Sequence, residues 1–480
     1  MSNLILWNAL NIDHAAIRPI GPHQLAGWLR QHGYSVTVID FCNLIPASSL
    51  FELTVKHVDN HTCAIGVGST FWSVHDSTST DEDRNPCGEV NRTSFQEPDW
   101  VMRGRELVAA KFPEMKWLLG GANSLASPLK YTWHRMHGHA ENEILKFMDE
   151  CSITYASRNL FDVKHITGCY MDDMQIQSSE VLPIELGRGC QFKCSFCRYP
   201  LINKKKNTYL RDYHLIKQEF LENFDRYGVT RYFFLDDTVN ESDEKINALA
   251  DICQSLPFKL EWVGYNRLDL IGSKRHTIES LKATGLRSTF FGIESFHRAA
   301  SKIVGKGWNG VHGKEFLLEL KERWGTDISF HLGFIAGLPE ENPGLLDQTQ
   351  QWCIDNDIHS WRFAGLSISR RPDVLWKSEF DTNYEKYGYR FTNPMSNTEW
   401  QNADWTRDTA LARASELNVA LQKYCRPAVF LLGELASMGY SFDELMAQKK
   451  TEMDWSTIKS KAESFVQRYV DLNLSAPATR

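Results

Sequence analysis

A chain of 480 residues, 42% hydrophobic and 24% charged, has room for two or three domains and enough apolar residues for ample cores. Its net charge of −7 excludes a protein that coats nucleic acid broadly or leans on a membrane surface by charge. No apolar run approaches a membrane span, and no basic leader precedes Leu4-Ile5-Leu6-Trp7, so no signal peptide is visible and a cytoplasmic location is expected.

From the N-terminus, Leu4–Leu10 reads as a buried strand and Pro22–His32 as a helix with Leu25, Trp28 and Leu29 on one face, stopped by Gly33. Ser35–Phe41, Cys63–Thr70 and Lys116–Gly121 are further strands, the last ending in Gly120-Gly121. This alternation specifies a Rossmann-like, doubly wound parallel sheet over residues 1–150. Phe71–Asp99 is polar and reads as a long loop, and residues 151–182, without a sustained period, read as a connector.

Residues 183–375 resume the alternation. Strands are expected at 184–189, 231–236, 259–265, 288–293, 328–335 and 360–366. Between them lie amphipathic helices, such as 213–227 with Leu215, Ile216, Phe220 and Phe224 inward, and one that starts at Asn342-Pro343. Six such units predict a partial (β/α)6 barrel of the TIM type, with its chemistry at the C-terminal strand ends. Residues 376–480 then turn helical (407–422, 428–447, 455–472) and form a small C-terminal region. The overall class is α/β.

Eleven cysteines, an odd number, fit a reducing compartment in which thiols stay free or bind metal. Three of them stand close together in Gly187-Arg-Gly-Cys190-Gln-Phe-Lys-Cys194-Ser-Phe-Cys197, directly after the first expected barrel strand. Three thiolates at this spacing can wrap one side of a four-iron four-sulfur cubane and leave its fourth iron open for a substrate to chelate. A zinc site would need a fourth ligand, and the nearest downstream candidate, His214, lies inside an expected helix.

The C-x3-C-x2-C loop, with the aromatic Phe196 before its third cysteine, resembles the radical S-adenosylmethionine (SAM) superfamily. The likeness continues through Phe234-Leu-Asp236-Asp-Thr238, Phe291-Gly-Ile-Glu294-Ser295 and Gly333-Phe-Ile335-Ala-Gly337-Leu-Pro-Glu340. It implies a 4Fe-4S cluster on Cys190, Cys194 and Cys197. It also implies SAM contacts from Phe196, Asp236, Glu294, Ser295, Ile335 and Gly337, with Glu294 reaching the ribose. Arg267 is either a contact to substrate or the SAM carboxylate, or the partner of Asp269. The implied chemistry is reductive cleavage of SAM to a 5′-deoxyadenosyl radical, with an electron donor such as flavodoxin or ferredoxin.

A doubly wound domain before such a barrel resembles the cobalamin-binding radical SAM enzymes. The implied corrin contacts are Ser69, Thr70, Gly120, Gly121, Gly138 and Glu141, and the implied reaction is methyl transfer to an unactivated carbon of a small-molecule or peptide substrate. The D-x-H-x-x-G signature that supplies a histidine to cobalt is absent, since Asp13-His14 has the wrong spacing. The alternatives are a cobalamin-free radical SAM enzyme that rearranges, cyclises or epimerises, and a non-catalytic iron–sulfur or zinc redox sensor. A methylthiotransferase would want a second cysteine trio, whereas Cys42, Cys63 and Cys87 are widely spread.

Overall fold

The computed structural model describes residues 3–9, 17–69, 97–121, 124, 131–136, 140–151, 161–166, 170–171, 175–198, 208–307, 310–372 and 376–476. The chain forms two compact units. One comprises Met1–Pro183, His214–Val229 and Trp455–Arg480, the other Ile184–Tyr213 and Thr230–Asp454.

In the first unit, β1 (Leu4–Trp7), β2 (Val36–Ile39), β3 (Ala64–Gly68), β4 (Lys116–Gly120) and β5 (His134–Arg135) form one sheet in the order β2-β1-β3-β4-β5. All its pairs are parallel. The strands are short apolar runs because helices cover both faces. The chain winds outward to β2, then returns to the other side of β1, so the winding reverses between β1 and β3 and opens a crevice at their C-terminal ends. The helix Ile20–Gln31 buries Trp28 and Leu29 and ends before Gly33, whose φ of 87° only glycine adopts cheaply.

Just past β1 and β2 lies a buried polar network with no sequence signature. Arg18 bridges Asp40 (2.6 Å) and Glu180 (2.7 Å), and His23 and Asn8 both reach Asp40 Oδ1, at 2.9 and 2.6 Å. Burial pushes the Asp40 carboxyl up, but His23 and Arg18 outweigh it and hold Asp40 well below the usual carboxylate range. The C-terminal helix Trp455–Ser475 joins this unit, where the Tyr469 hydroxyl accepts from the Asp40 amide at 2.9 Å.

The six strands β6 (Val181–Ile184), β7 (Arg231–Phe234), β8 (Glu261–Asn266), β9 (Leu286–Glu294), β10 (Ser329–Ala336) and β11 (Ser360–Gly365) lie side by side in chain order. The pairs from β7 to β11 are parallel, which gives the partial barrel expected. The first strand ends earlier than its sequence suggests. The Leu186 amide, which would extend the ladder, donates instead to Asp236 Oδ2 at 2.7 Å, and the chain turns into the cysteine loop.

Alternate strand residues separate two layers. Phe291 and Phe330 pack outward on Trp324, while Phe233, Tyr265, Phe290 and His331 form a continuous row on the other face. Phe430 of the helix Val429–Ser437 closes one end of that row against Phe233. The helical stretch expected after residue 376 also contains a short hairpin, Arg390–Phe391 with Trp400–Gln401.

The helix Val429–Ser437 also carries a buried acid. Burial alone pushes the Glu434 carboxyl from 4.5 up to about 8. Between those values the folded chain holds a proton that the unfolded chain releases, so stability falls as pH rises through that window. Glu434→Gln removes the titration and is expected to melt several degrees above the parent at about pH 8, with most of that gain gone at about pH 5. Thermal melts in paired buffers check this, and an equal gain at both pH values contradicts it.

Candidate functional site

The cysteine loop leaves β6 and is tied down at several points. The Arg188 amide donates to Tyr209 O (2.8 Å), the Arg211 amide to Leu186 O (2.9 Å) and the Cys197 amide to Cys194 O (3.0 Å). Ser195 is held from two sides: its hydroxyl donates to Ile303 O (2.7 Å), and its carbonyl accepts from the Phe380 amide (2.9 Å). Cys190, Cys194 and Cys197 all stand on this one clamped turn, none of them in a disulfide.

Polar groups face the sulfurs of Cys190 and Cys194. The Thr238 hydroxyl lies 3.5 Å from Cys190 Sγ, and Arg267 Nη1 donates to Cys194 Sγ at 3.4 Å. Burial pushes the Cys190 thiol up, and the Thr238 hydroxyl and the Phe192 amide work against it. This donor set fits an iron–sulfur cluster: thiols on a short loop, with polar hydrogens near the sulfurs to stabilise thiolates. Among the described residues no three His, Cys, Asp or Glu side chains converge as the ligands of a single metal ion would.

Two residues expected at the ligands are engaged within the protein. Asp236 accepts from Lys245 Nζ at 2.7 Å and from the Leu186 amide at 2.7 Å, so both its oxygens are engaged. Lys245 also bridges to Glu241 at 2.9 Å. Asp236 thus fixes where the cysteine loop begins. Arg267 grips Asp269 through Nε (3.0 Å) and Nη2 (2.6 Å). The remaining expectations fall at strand ends. Glu294 closes β9 with φ of 64°, a left-handed conformation that costs a residue with a Cβ on the order of 1–3 kcal/mol. The register between β9 and β10 shifts there, so that Phe334 faces Glu294. The Glu294 carboxylate folds back over Gly292, where any Cβ would collide with it, and pairs with Lys306 at 3.2 Å.

Ser295, the next residue, donates to Glu341 Oε1 at 2.5 Å, and burial pushes the Glu341 carboxyl up to about 8. Ile335 is buried on β10, and Phe196 is half-buried beside the third cysteine. Gly337 has a reason of its own to be glycine. Its φ is 104°, and a Cβ would stand 2.7 Å from Trp400. Its carbonyl accepts from the Tyr389 hydroxyl at 2.9 Å and from Asn402 at 3.2 Å, so the segment after residue 376 packs against this strand end.

In the first unit, Ser69, Gly120 and Gly121 lie together. The Ser69 hydroxyl and amide both donate to Gly120 O, at 2.6 and 2.8 Å. Gly68 and Gly120 are register partners, and no described atom lies within 4 Å of where a Cβ on either would stand. That clear space at two adjacent strand ends is the feature a large flat ligand needs. Glu141 is buried in the helix Ala140–Glu150, where its carbonyl accepts from Trp28 Nε1. Thr70 and Gly138 lie outside the described residues.

Sequence reasoning missed Thr238, Lys245, Lys306 and Glu341. Only Lys306 had a usable signal, since a lysine soon after a carboxylate-bearing strand end is a ready partner for it.

Residues 184–353 match the model of the Radical SAM superfamily. An uncharacterized methyltransferase of Pyrococcus horikoshii is 23% identical over 228 residues, 44% of this chain and 48% of that protein. The anaerobic magnesium-protoporphyrin IX monomethyl ester cyclase of Cereibacter sphaeroides is 24% identical over 219 residues, 42% of this chain and 33% of that protein. The chain thus spans half or less of these curated relatives. Among solved structures, the radical SAM methyltransferase TsrM of Kitasatospora setae, with tryptophan substrate and a SAM analogue bound, superposes with a TM-score of 0.61 at 14% identity. The match covers 97% of this chain and 99% of that one. A second structure of the same enzyme, with cobalamin and a [4Fe-4S] cluster bound, gives 0.60 over 98% of this chain. Among the described residues no helix is long and apolar enough to cross a membrane. Residues 184–353 thus match a radical SAM domain, and the chain shares the fold of TsrM.

Proposed function

We propose that this chain is a radical SAM enzyme that transfers a methyl group with the help of cobalamin. Cys190, Cys194 and Cys197 would hold a 4Fe-4S cluster, and the 1–150 sheet would hold the corrin. The observation that carries the reading is the clamped three-thiol loop at the start of the barrel, in the domain that also sets Glu294 in a strained conformation at a neighbouring strand end. TsrM, whose fold this chain shares, is described with both cobalamin and a [4Fe-4S] cluster bound.

A cluster held by the three cysteines would supply one electron for the reductive cleavage of SAM to methionine and a 5′-deoxyadenosyl radical. The residues around it bind and orient. Glu294, with two acceptor oxygens at a strand end, suits the paired hydroxyls of a ribose, and Lys306, 3.2 Å away, holds that carboxylate in place. Ser295 and Glu341 pin the adjoining backbone. Asp236 and Lys245 fix the take-off of the cysteine loop. The electron would come from a low-potential carrier of the flavodoxin or ferredoxin class.

The test is anaerobic assay of reconstituted protein with hydroxocobalamin, methyl-labelled SAM and a reductant. Formation of 5′-deoxyadenosine together with label in a product supports the reading, and 5′-deoxyadenosine without bound cobalamin replaces it with the cobalamin-free alternative. Glu294→Gln gives a narrower check. It keeps shape but weakens acceptance of the ribose hydroxyls and loses the Lys306 pair, so SAM affinity should fall by about 1–3 kcal/mol with the cluster absorption unchanged. Unchanged affinity in a calorimetric titration would make Glu294 a structural residue.

A further inference from the structure

We propose that Arg267 is a positioning residue for the cluster: it donates a charge-assisted hydrogen bond to the Cys194 sulfur, fixes the direction of that thiolate and raises the reduction potential of the bound cluster. The inference rests on Cys194 being a cluster ligand.

Arg267 is fixed at both ends. Its amide donates to Asn240 Oδ1 at 2.8 Å, and Asn240 Nδ2 donates back to the Arg267 carbonyl at 2.9 Å. At the other end the guanidinium forks onto Asp269 and reaches Gly305 O at 3.4 Å. Asp269 is held in turn by the amides of Leu270 (3.1 Å) and Gly307 (3.3 Å). The guanidinium carbon lies over the Phe192 ring, 4.1 Å from its centroid. A bidentate carboxylate on one edge and an aromatic ring against the group hold it in place. The edge that remains points Nη1 at Cys194 Sγ, 3.4 Å away.

This arrangement decides what Arg267 is for. Guanidinium has five N–H donors, and Asp269, Gly305 and Cys194 account for four of them. Little is left to clamp a carboxylate of SAM or substrate, the role the sequence left open.

Adding an electron to a cluster adds negative charge, part of which spreads onto its sulfur ligands. A fixed N–H aimed at one of those sulfurs therefore favours the reduced form over the oxidised one. The step that is tuned is the uptake of one electron from an external reductant; no bond is made or broken. Asp269 offsets part of the charge, so the net effect comes from an oriented donor rather than a bare cation.

The test is a potentiometric titration, followed by electron paramagnetic resonance, of the full-length protein reconstituted with iron and sulfide and reduced with dithionite. Arg267→Met keeps an apolar stem over Phe192 and removes the donor. Iron and sulfide content should match the parent. The ratio of reduced to oxidised cluster at a fixed potential should fall about tenfold, which is ~59 mV for a one-electron couple. Arg267→Lys, with charge but no fork, should lie between the two. A full cluster with an unshifted potential in Arg267→Met overturns the proposal. If that variant fails to assemble its cluster, the unsubstituted protein grown on guanidino-15N arginine decides. A nitrogen coupling to the reduced cluster that changes with the isotope supports the contact, and no such coupling overturns it. If the unsubstituted protein holds no cluster at all, the cysteine assignment falls first.

Discussion

Alanine at Cys190, Cys194 and Cys197 together is expected to give a colourless protein that neither binds iron and sulfide nor cleaves SAM. The parent, reconstituted anaerobically, should carry about one four-iron cluster per chain. The effect is all-or-none because the three thiols are the loop's only strong iron donors, while the bonds that clamp the loop use no cysteine side chain. Ser195, Cys197 and Arg188 are held through main-chain atoms and the Ser195 hydroxyl, which the substitutions leave in place. The variant should therefore fold, and its loss of colour will report ligation rather than collapse. Other cysteines provide the contrast. Cys42 and Cys353 are fully buried thiols that burial pushes well above the ordinary range. Their replacement by serine should leave absorption and cleavage as in the parent. Retention of iron and sulfide by the triple variant would end the cysteine assignment.

What could be read in the sequence was what local pattern encodes. Short apolar and aromatic runs gave the first four strands of the N-terminal sheet and the last five of the barrel, because parallel strands covered on both faces need apolar sequence. The first barrel strand, Val181–Ile184, instead begins within the expected connector, and the two-residue β5 was not foreseen. The cysteine loop was legible because its three cysteines sit within eight residues, and the strand-end motifs because each is a contiguous run. Boundaries failed where a distant side chain intervened. The first barrel strand stops at Ile184 because a carboxylate fifty positions later takes the Leu186 amide.

The chemistry around the ligands was harder to read for the same reason. Arg267 and Cys194 are 73 positions apart and Arg18 and Glu180 are 162 apart; no spacing rule connects such pairs. Glu341 and Glu434 look like ordinary surface acids in the sequence. Only their burial makes them groups that hold a proton near neutral pH. Gly337 was legible as a required glycine, yet its neighbours Tyr389, Trp400 and Asn402 come from a segment more than fifty residues later. A sequence marks where backbone must come close. It does not name what comes close to it.

Hydroxocobalamin is expected to bind the protein in one-to-one amount, and Gly120→Trp to abolish that binding. The argument begins with the sheet. β3 and β4 are neighbours on the side of β1 where the winding reverses, and ligands of such sheets sit outside the carboxyl ends of the strands. There Gly68 pairs with Gly120, and a Cβ on either would meet no described atom within 4 Å. Ser69 leaves the ladder with both its amide and its hydroxyl on Gly120 O, which holds the two strand ends together as one floor. An indole at Gly120 would stand on that floor without straining the backbone. The same change at Gly121 would force a bulky residue into φ of 92° and confuse exclusion with misfolding. An affinity loss of at least a hundredfold, about 2.7 kcal/mol, is expected by spectroscopic titration, with an unchanged thermal melt. If Gly120→Trp binds the corrin as the parent does and melts at the same temperature, the corrin lies elsewhere. If the parent itself binds none and still forms 5′-deoxyadenosine, methyl transfer through cobalamin gives way to the cobalamin-free reaction.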